Sequence, residues 1–230
     1  MPRGAWAGVN VIVRRDYIEI GFRSMKKNLS SSGFTQNDLS IVRRDIAWKG
    51  FFTVEEVTLR HRLFAGGESA VIKRELFRRG NAVGVLLYDP VRDVVGLLEQ
   101  FRVGALAEPS PWLLEIVAGM TKEGESPQDV ALRELEEEAG ILQVELSAIG
   151  DYLLSPGGTD EKIFLYCGIA DLPPADRLHG LEEEAEDIRY FTLPREQAIA
   201  LLDDGVINNA AAAIALGWLA RHYKMLQDRL

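Results

Sequence analysis

The stretch GMTKEGESPQDVALRELEEEAGI, residues 119–141, decides how this chain is read. Ser126-Pro127-Gln128-Asp129 is a helix start: Ser126 can cap, Pro127 suits the first turn, and acidic Asp129 suits the third position. Gly140 supplies a left-handed stop. Between these signals Ala131, Leu135 and Ala139 recur every four residues, which makes a face fit to pack on a sheet. Glu134 and Glu138 are also four apart and stack on a neighbouring face, with Glu137 close by. Like charges at that spacing cost about 0.2–0.5 kcal/mol per pair on an exposed helix. Something should offset four carboxylates between 134 and 138. Arg133 can relieve part of the repulsion by pairing with Glu137. A hard divalent cation would relieve more, because magnesium prefers oxygen ligands. The plainer alternative is an acidic face left in solvent, the usual meaning of a glutamate run.

Around this helix the chain alternates in short periods. Phe51 to Arg62 and Ser69 to Phe77 read as strands separated by a Gly66-Gly67 turn. Ala82–Tyr88 and Val94–Arg102 form a second pair around Asp89-Pro90, and Trp112–Val117 is a further strand. After the helix come strands near 143–154, 161–169 and Ile188–Leu193, then helices at about 195–203 and 209–227. Helices separate the strands only partly. This pattern predicts an α+β fold, helices flanking a mixed sheet, rather than a regular βαβ repeat. The expected division is an N-terminal extension over 1–33, an antiparallel β arm over 34–80 and a catalytic domain over 81–230. Within the extension, Val9–Val13 and Tyr17–Ile20 could be short strands, and a start at Met25 is an alternative.

Bulk properties exclude several classes. The chain has 230 residues, 47% hydrophobic and 27% charged, an ordinary soluble composition. Its net charge of −9 argues against a general nucleic-acid or membrane binder, which needs a basic surface. An acidic enzyme can still act on phosphates through a cation. The single cysteine, Cys167, permits no internal disulfide and lies in an apolar run, so a buried structural thiol is expected. Ala210 to Ala220 is too short to span a bilayer, the N-terminus lacks a signal-peptide pattern, and the cytoplasm is the expected compartment.

Gly119, five residues, Glu125, seven residues and the run Arg133 to Ile141 resemble, at nine constrained positions, the Nudix box Gly-x5-Glu-x7-Arg-Glu-U-x-Glu-Glu-x-Gly-U, where U is bulky and apolar. The resemblance extends from about Phe34 to the C-terminus. Gln100-Phe101-Arg102, Pro111 to Glu115, and Ser155-Pro156-Gly157-Gly158-Thr159 are similar to the bacterial ADP-ribose pyrophosphatase branch. It implies a Nudix-type α/β/α sandwich with a mixed sheet plus the N-terminal arm. The implied reaction is hydrolysis of ADP-ribose to AMP and ribose 5-phosphate. Mg2+ or Mn2+, more than one ion per site, would neutralise phosphoryl charge and acidify a water.

The same resemblance implies metal ligands at the carbonyl of Ala118 and at Glu134, Glu138 and Glu186, with Glu184 as general base. The loop holding these last two is crowded, so Glu182 and Glu183 stay open as alternatives for the base. Substrate contacts are implied at Phe51 and Phe52 near the adenine, at Arg74, Glu75 and Arg79 on the arm, and at Arg102, Met120, Ser155, Pro156, Gly157 and Glu161. The arm is too small for a core of its own, so a homodimer with swapped arms is expected. Two rivals remain. One is a Nudix enzyme for another nucleotide sugar, such as GDP-mannose. The other is a non-catalytic ADP-ribose sensor, disfavoured because the box is intact and no basic helix-turn-helix segment is visible.

Overall fold

The computed structural model describes residues 33–181 and 186–229, which form two compact units. One contains residues 81–152, 163–181 and 186–229; the other contains 33–80 together with 153–162. Among the described residues no helix is long and apolar enough to cross a membrane.

The larger unit is built on an eight-stranded mixed sheet. Its strands are β4 (Ala82–Asp89), β5 (Val94–Phe101), β6 (Trp112–Glu115), β7 (Val117–Met120), β8 (Glu145–Leu153), β9 (Lys162–Ile169), β10 (Asp176–His179) and β11 (Ile188–Pro194). They run in the order β10-β11-β5-β4-β9-β8, with β6 on β5 and β7 on β4. β4 and β9 are parallel, whereas the β4–β5, β4–β7, β5–β6, β5–β11 and β10–β11 pairs are antiparallel. β4 is buried almost throughout because both faces are covered. Val83, Val85 and Leu87 join the core beneath helix α1 (Pro127–Ala139) with Val130, Ala131, Leu135 and Ala139. The alternate residues Leu86 and Tyr88 turn to the opposite face, where α2 (Arg195–Asp203) and α3 (Ala210–Gln227) lie.

Helix α1 has the predicted ends. The Ser126 hydroxyl accepts the Asp129 N–H, Pro127 occupies the first turn, and Gly140 adopts φ 65°. Gly140 N–H then donates to the Glu136 carbonyl and Ile141 N–H to that of Leu135, closing the helix.

The smaller unit is a three-stranded antiparallel sheet of β1 (Leu39–Lys49), β2 (Thr53–His61) and β3 (Ile72–Arg78), in that order. The segment 153–162 joins this unit: Phe77 N–H donates to the Gly158 carbonyl at 2.8 Å, and Phe77 bridges to Thr159. The sequence reading did not anticipate that attachment. It also missed β1 and β10, and it ran one strand from Trp112 to Val117 where β6 ends at Glu115 and a separate β7 starts at Val117. The extension, apart from Gly33, lies outside the described residues, as do its two suggested strands.

Candidate active site

The carboxylates of the candidate site in the larger unit centre on α1. Glu138 is 3% exposed, and its Oε2 accepts the Ala118 N–H at 3.0 Å. Burial pushes its carboxyl up to about 8. The backbone bond from Ala118 and the charge of Arg102 work against that shift, while Glu134 and Glu186 add to it. Glu134 is raised as well, first by burial and then by Glu137 and Glu186, with Arg133 opposing. The charge of Glu186 thus opposes ionisation of both Glu134 and Glu138, and Glu134 adds to the effect at Glu138.

Arg133 relieves part of that repulsion. One of its terminal nitrogens lies 2.7 Å from Glu134 and 3.2 Å from Glu137, the other 3.6 Å from Glu125. Glu125 also accepts the Lys122 N–H at 2.9 Å, which braces the loop ahead of the helix. Arg133 thus spends its charge on three box glutamates. Glu138 receives none of these contacts, so the deepest carboxylate has a single backbone donor.

Gly119 leaves the space that Glu134 occupies. A Cβ at position 119 would lie 1.8 Å from the Glu134 Oε1. The strand residue Ala118, paired with Gly84 on β4, is held next to that gap by sheet hydrogen bonding.

Among the described residues no three His, Cys, Asp or Glu side chains converge closely enough to hold a metal ion by themselves. Glu184 and its neighbours Glu182 and Glu183 lie outside the described residues, so the expected base has no position here. The donors that are described still fit a hard divalent cation. Glu134 and Glu138 are carboxylates withdrawn from water, mutually repelling and next to a carbonyl-bearing strand, a set that such a cation would stabilise. Met120 is half-buried at the end of β7, and Glu186 is half-buried just before β11.

Arg102, also in this unit, donates its Nε–H to Glu115 Oε2 at 2.8 Å, and Gln100 donates its side-chain N–H to the same oxygen at 3.3 Å. Neither Gln100 nor Glu115 was expected to bear on the site. The signal was present in the flanking strands, but only their pairing turns it into geometry.

The other expected contacts belong to the smaller unit. Phe51 is 87% exposed and meets Phe52 edge-on at 4.7 Å; Phe52 in turn meets Phe77 at 5.2 Å. The Arg79 guanidinium lies 5.7 Å from the Phe52 ring centre and 3.4 Å from Glu161, whose carboxylate is buried. Arg79 Nε is buried with no hydrogen-bond partner among the described residues. Ser155, Pro156 and Gly157 form the exposed tip of a turn closed onto the Ser155 carbonyl by the N–H groups of Gly158 and Thr159. On β3, Lys73 pairs with Glu56 and Arg78 with Asp160 and Glu55. Exposed Arg74 makes no ion pair among the described residues, donating only to the Lys73 carbonyl, and Glu75 is exposed beside it. An aromatic surface and an uncommitted guanidinium suit a base and a phosphate.

Several known proteins resemble this chain in sequence or in fold. The NUDIX domain family model matches residues 78–211. An ADP-ribose pyrophosphatase of Haemophilus influenzae is 46% identical over 199 residues, covering 85% of this chain and 92% of that protein. A GDP-mannose pyrophosphatase of Enterobacter sp. is 30% identical over 184 residues, covering 79% of this chain and 94% of that protein. A solved ADP compounds hydrolase superposes with a TM-score of 0.63 at 24% identity, covering 86% of this chain and all of that one, a likeness of fold.

Proposed function

The chain belongs to the NUDIX domain family, and from that premise we propose that it hydrolyses the pyrophosphate of ADP-ribose to AMP and ribose 5-phosphate. The observation that carries the reaction is the pair Glu134 and Glu138, two buried carboxylates on successive turns of α1 with Gly119 cleared beside them. Nudix enzymes of this kind depend on a divalent metal; we assign Mg2+, with Mn2+ as a substitute. Glu134, Glu138, Glu186 and the carbonyl of Ala118 would hold it. When bound, such a cation neutralises charge on the phosphoryl oxygens and makes a nearby water more acidic.

The chain's own residues supply the rest. Arg133 keeps the Glu134 and Glu137 side chains in place by ion pairing, so the oxygens are set before substrate arrives. The water oxygen adds to one phosphorus, its proton passes to a carboxylate, and the bridging oxygen leaves with the other phosphate. Glu184 is the proposed base. Arg102 and Met120 would line the catalytic unit's share of the substrate site. Phe51, Phe52, Arg74, Glu75, Arg79, Glu161 and the turn Ser155-Pro156-Gly157 would supply contacts from the arm unit, which we assign to a homodimer with swapped arms.

ADP-ribose is preferred to GDP-mannose because likeness to the ADP-ribose enzyme is greater in both identity and coverage. The deciding experiment is turnover of a panel of nucleotide sugars with Mg2+. A preference of about tenfold or more for GDP-mannose, roughly 1.4 kcal/mol in transition-state binding, would overturn the substrate and leave the reaction class standing.

A further inference from the structure

Arg102 is fixed at two points. Its backbone N–H donates to the Pro111 carbonyl at 2.8 Å, and its side-chain Nε–H donates to Glu115 at 2.8 Å. No other hydrogen bond engages that guanidinium among the described residues, and within that set its two terminal amino groups have no partner. Glu115 is suited to this work. It ends β6 opposite Leu98 of β5, and Leu98 belongs to the core beneath α1. Gln100, two residues further on β5, is therefore a diagonal neighbour of Glu115 on the face that carries the box helix. That face explains why the charge of Arg102 is felt at Glu138. The Glu115 side chain is only 13% exposed, and the buried Gln100 amide donates to the same carboxylate oxygen that Arg102 engages. Asn209, which caps α3, donates to the Leu114 carbonyl at 2.7 Å and secures the strand at the adjoining residue.

We propose that Glu115 is a positioning residue of the substrate site: it grips Arg102 by Nε and so presents the two terminal amino groups, end-on, to the pyrophosphate. The inference rests on the proposed reaction for its substrate, and on the β5–β6 pairing for its geometry. A guanidinium held by Nε keeps a pair of parallel N–H donors that match two phosphoryl oxygens. Without Glu115 the side chain is left to search its rotamers, and binding bears the entropy.

The test compares full-length wild type, Glu115→Ala, Arg102→Ala, the double variant and Glu115→Gln. Each is measured for ADP-ribose turnover with Mg2+ and, by calorimetry, for ADP affinity. Loss of one charge-assisted contact predicts a KM and an ADP Kd about tenfold higher for Glu115→Ala, with kcat within about twofold. The double variant should be no weaker than Arg102→Ala, because Glu115 acts only through that residue. Glu115→Gln keeps an oxygen acceptor and should recover most of the binding, whereas Glu115→Met, which keeps the bulk without the acceptor, replaces the alanine variant should that one not fold. Unchanged affinity in the variant that lacks the acceptor, or a loss that adds to that of Arg102→Ala, would overturn the assignment. A wild type that binds ADP without hydrolysing ADP-ribose would instead overturn the proposed reaction, and the ADP affinities would still decide Glu115.

Discussion

Gly119 and Glu134 compete for one volume: a Cβ on the glycine would stand 1.8 Å from the carboxylate oxygen and 2.1 Å from its carbon. The reason is not backbone torsion, since Gly119 is absent from the residues with positive φ and pairs regularly with Val83. The first box glycine therefore creates space for a carboxylate. Gly119→Ala should displace Glu134 and lower kcat/KM by about a hundredfold, the cost of a misplacement near 1 Å in a catalytic group. Thermal unfolding should shift little, because the displaced side chain can turn toward solvent. Near-native turnover by a folded Gly119→Ala enzyme would show that Glu134 need not occupy this gap.

Glu138→Gln separates charge from shape. The amide oxygen can still accept the Ala118 N–H, so the fold should be retained, and without metal the variant should be at least as stable as wild type near neutral pH, because it has no carboxyl that folding must either protonate or bury as a charge. Turnover should fall on the order of a hundredfold or more, as loss of a metal-site carboxylate predicts. Mg2+ should stabilise wild type by about 2.7 kcal/mol at a hundred times its dissociation constant, and the variant by much less. Melting curves across a magnesium series measure this directly. Turnover at the wild-type rate would remove Glu138 from the proposed site.

On the far face of the sheet, Asp93 grips Arg195 with two hydrogen bonds of 2.8 and 2.9 Å and accepts the Tyr88 hydroxyl at 2.8 Å. Arg195 also lies 3.7 Å over the Tyr223 ring, so one ion pair ties the β4–β5 turn to α2 and α3. Burial raises the Asp93 carboxyl, but Arg195 and Tyr88 outweigh it and the net shift is downward. A carboxyl lowered by folding stabilises fully above its unfolded pKa, near 3.9, and that stabilisation is lost as pH falls through the folded value. Asp93→Asn should cost about 2 kcal/mol at neutral pH, less than a fully buried pair because Asp93 is one-third exposed. The melting-temperature gap to wild type should stay constant near neutrality and close in acid. A gap that is independent of pH down to about 2 would show that the Asp93 charge is not the stabilising element.

The parts of the fold that were legible in sequence are those with local chemical signals. Helix α1 is one, because its stops reside in Ser126, Pro127 and Gly140, and α2 was bounded correctly over 195–203. β1 was hidden because its register shifts between Ile41 and Arg43 and again between Ile46 and Trp48, which breaks the two-residue alternation. β10 has four residues, too few for a period, and is a strand because β11 pairs with it. The roles of Gly119 and Glu115 depend on which residues the sheet places opposite each other, a relation that spacing along the chain does not contain. The attachment of 153–162 to the arm unit is of the same kind.

The strand that was hidden bears on assembly. β1 is the edge of the arm sheet, and it exposes Ile41, Val42, Ile46 and Trp48 along its length. A long edge strand carrying exposed apolar residues invites pairing unless a partner covers it. The proposed homodimer supplies that cover. In solution the protein should therefore run at twice its 25.6 kDa chain mass by light scattering. Trp48→Glu with Ile46→Lys should shift it to the monomer while leaving the catalytic unit folded. If the arm supplies substrate contacts to a second subunit, the monomer should also show a raised KM for ADP-ribose, by about tenfold for one lost contact of the charge-assisted kind. A variant that is monomeric with unchanged KM would mean that each chain completes its own substrate site, and the swapped-arm arrangement would have to be abandoned.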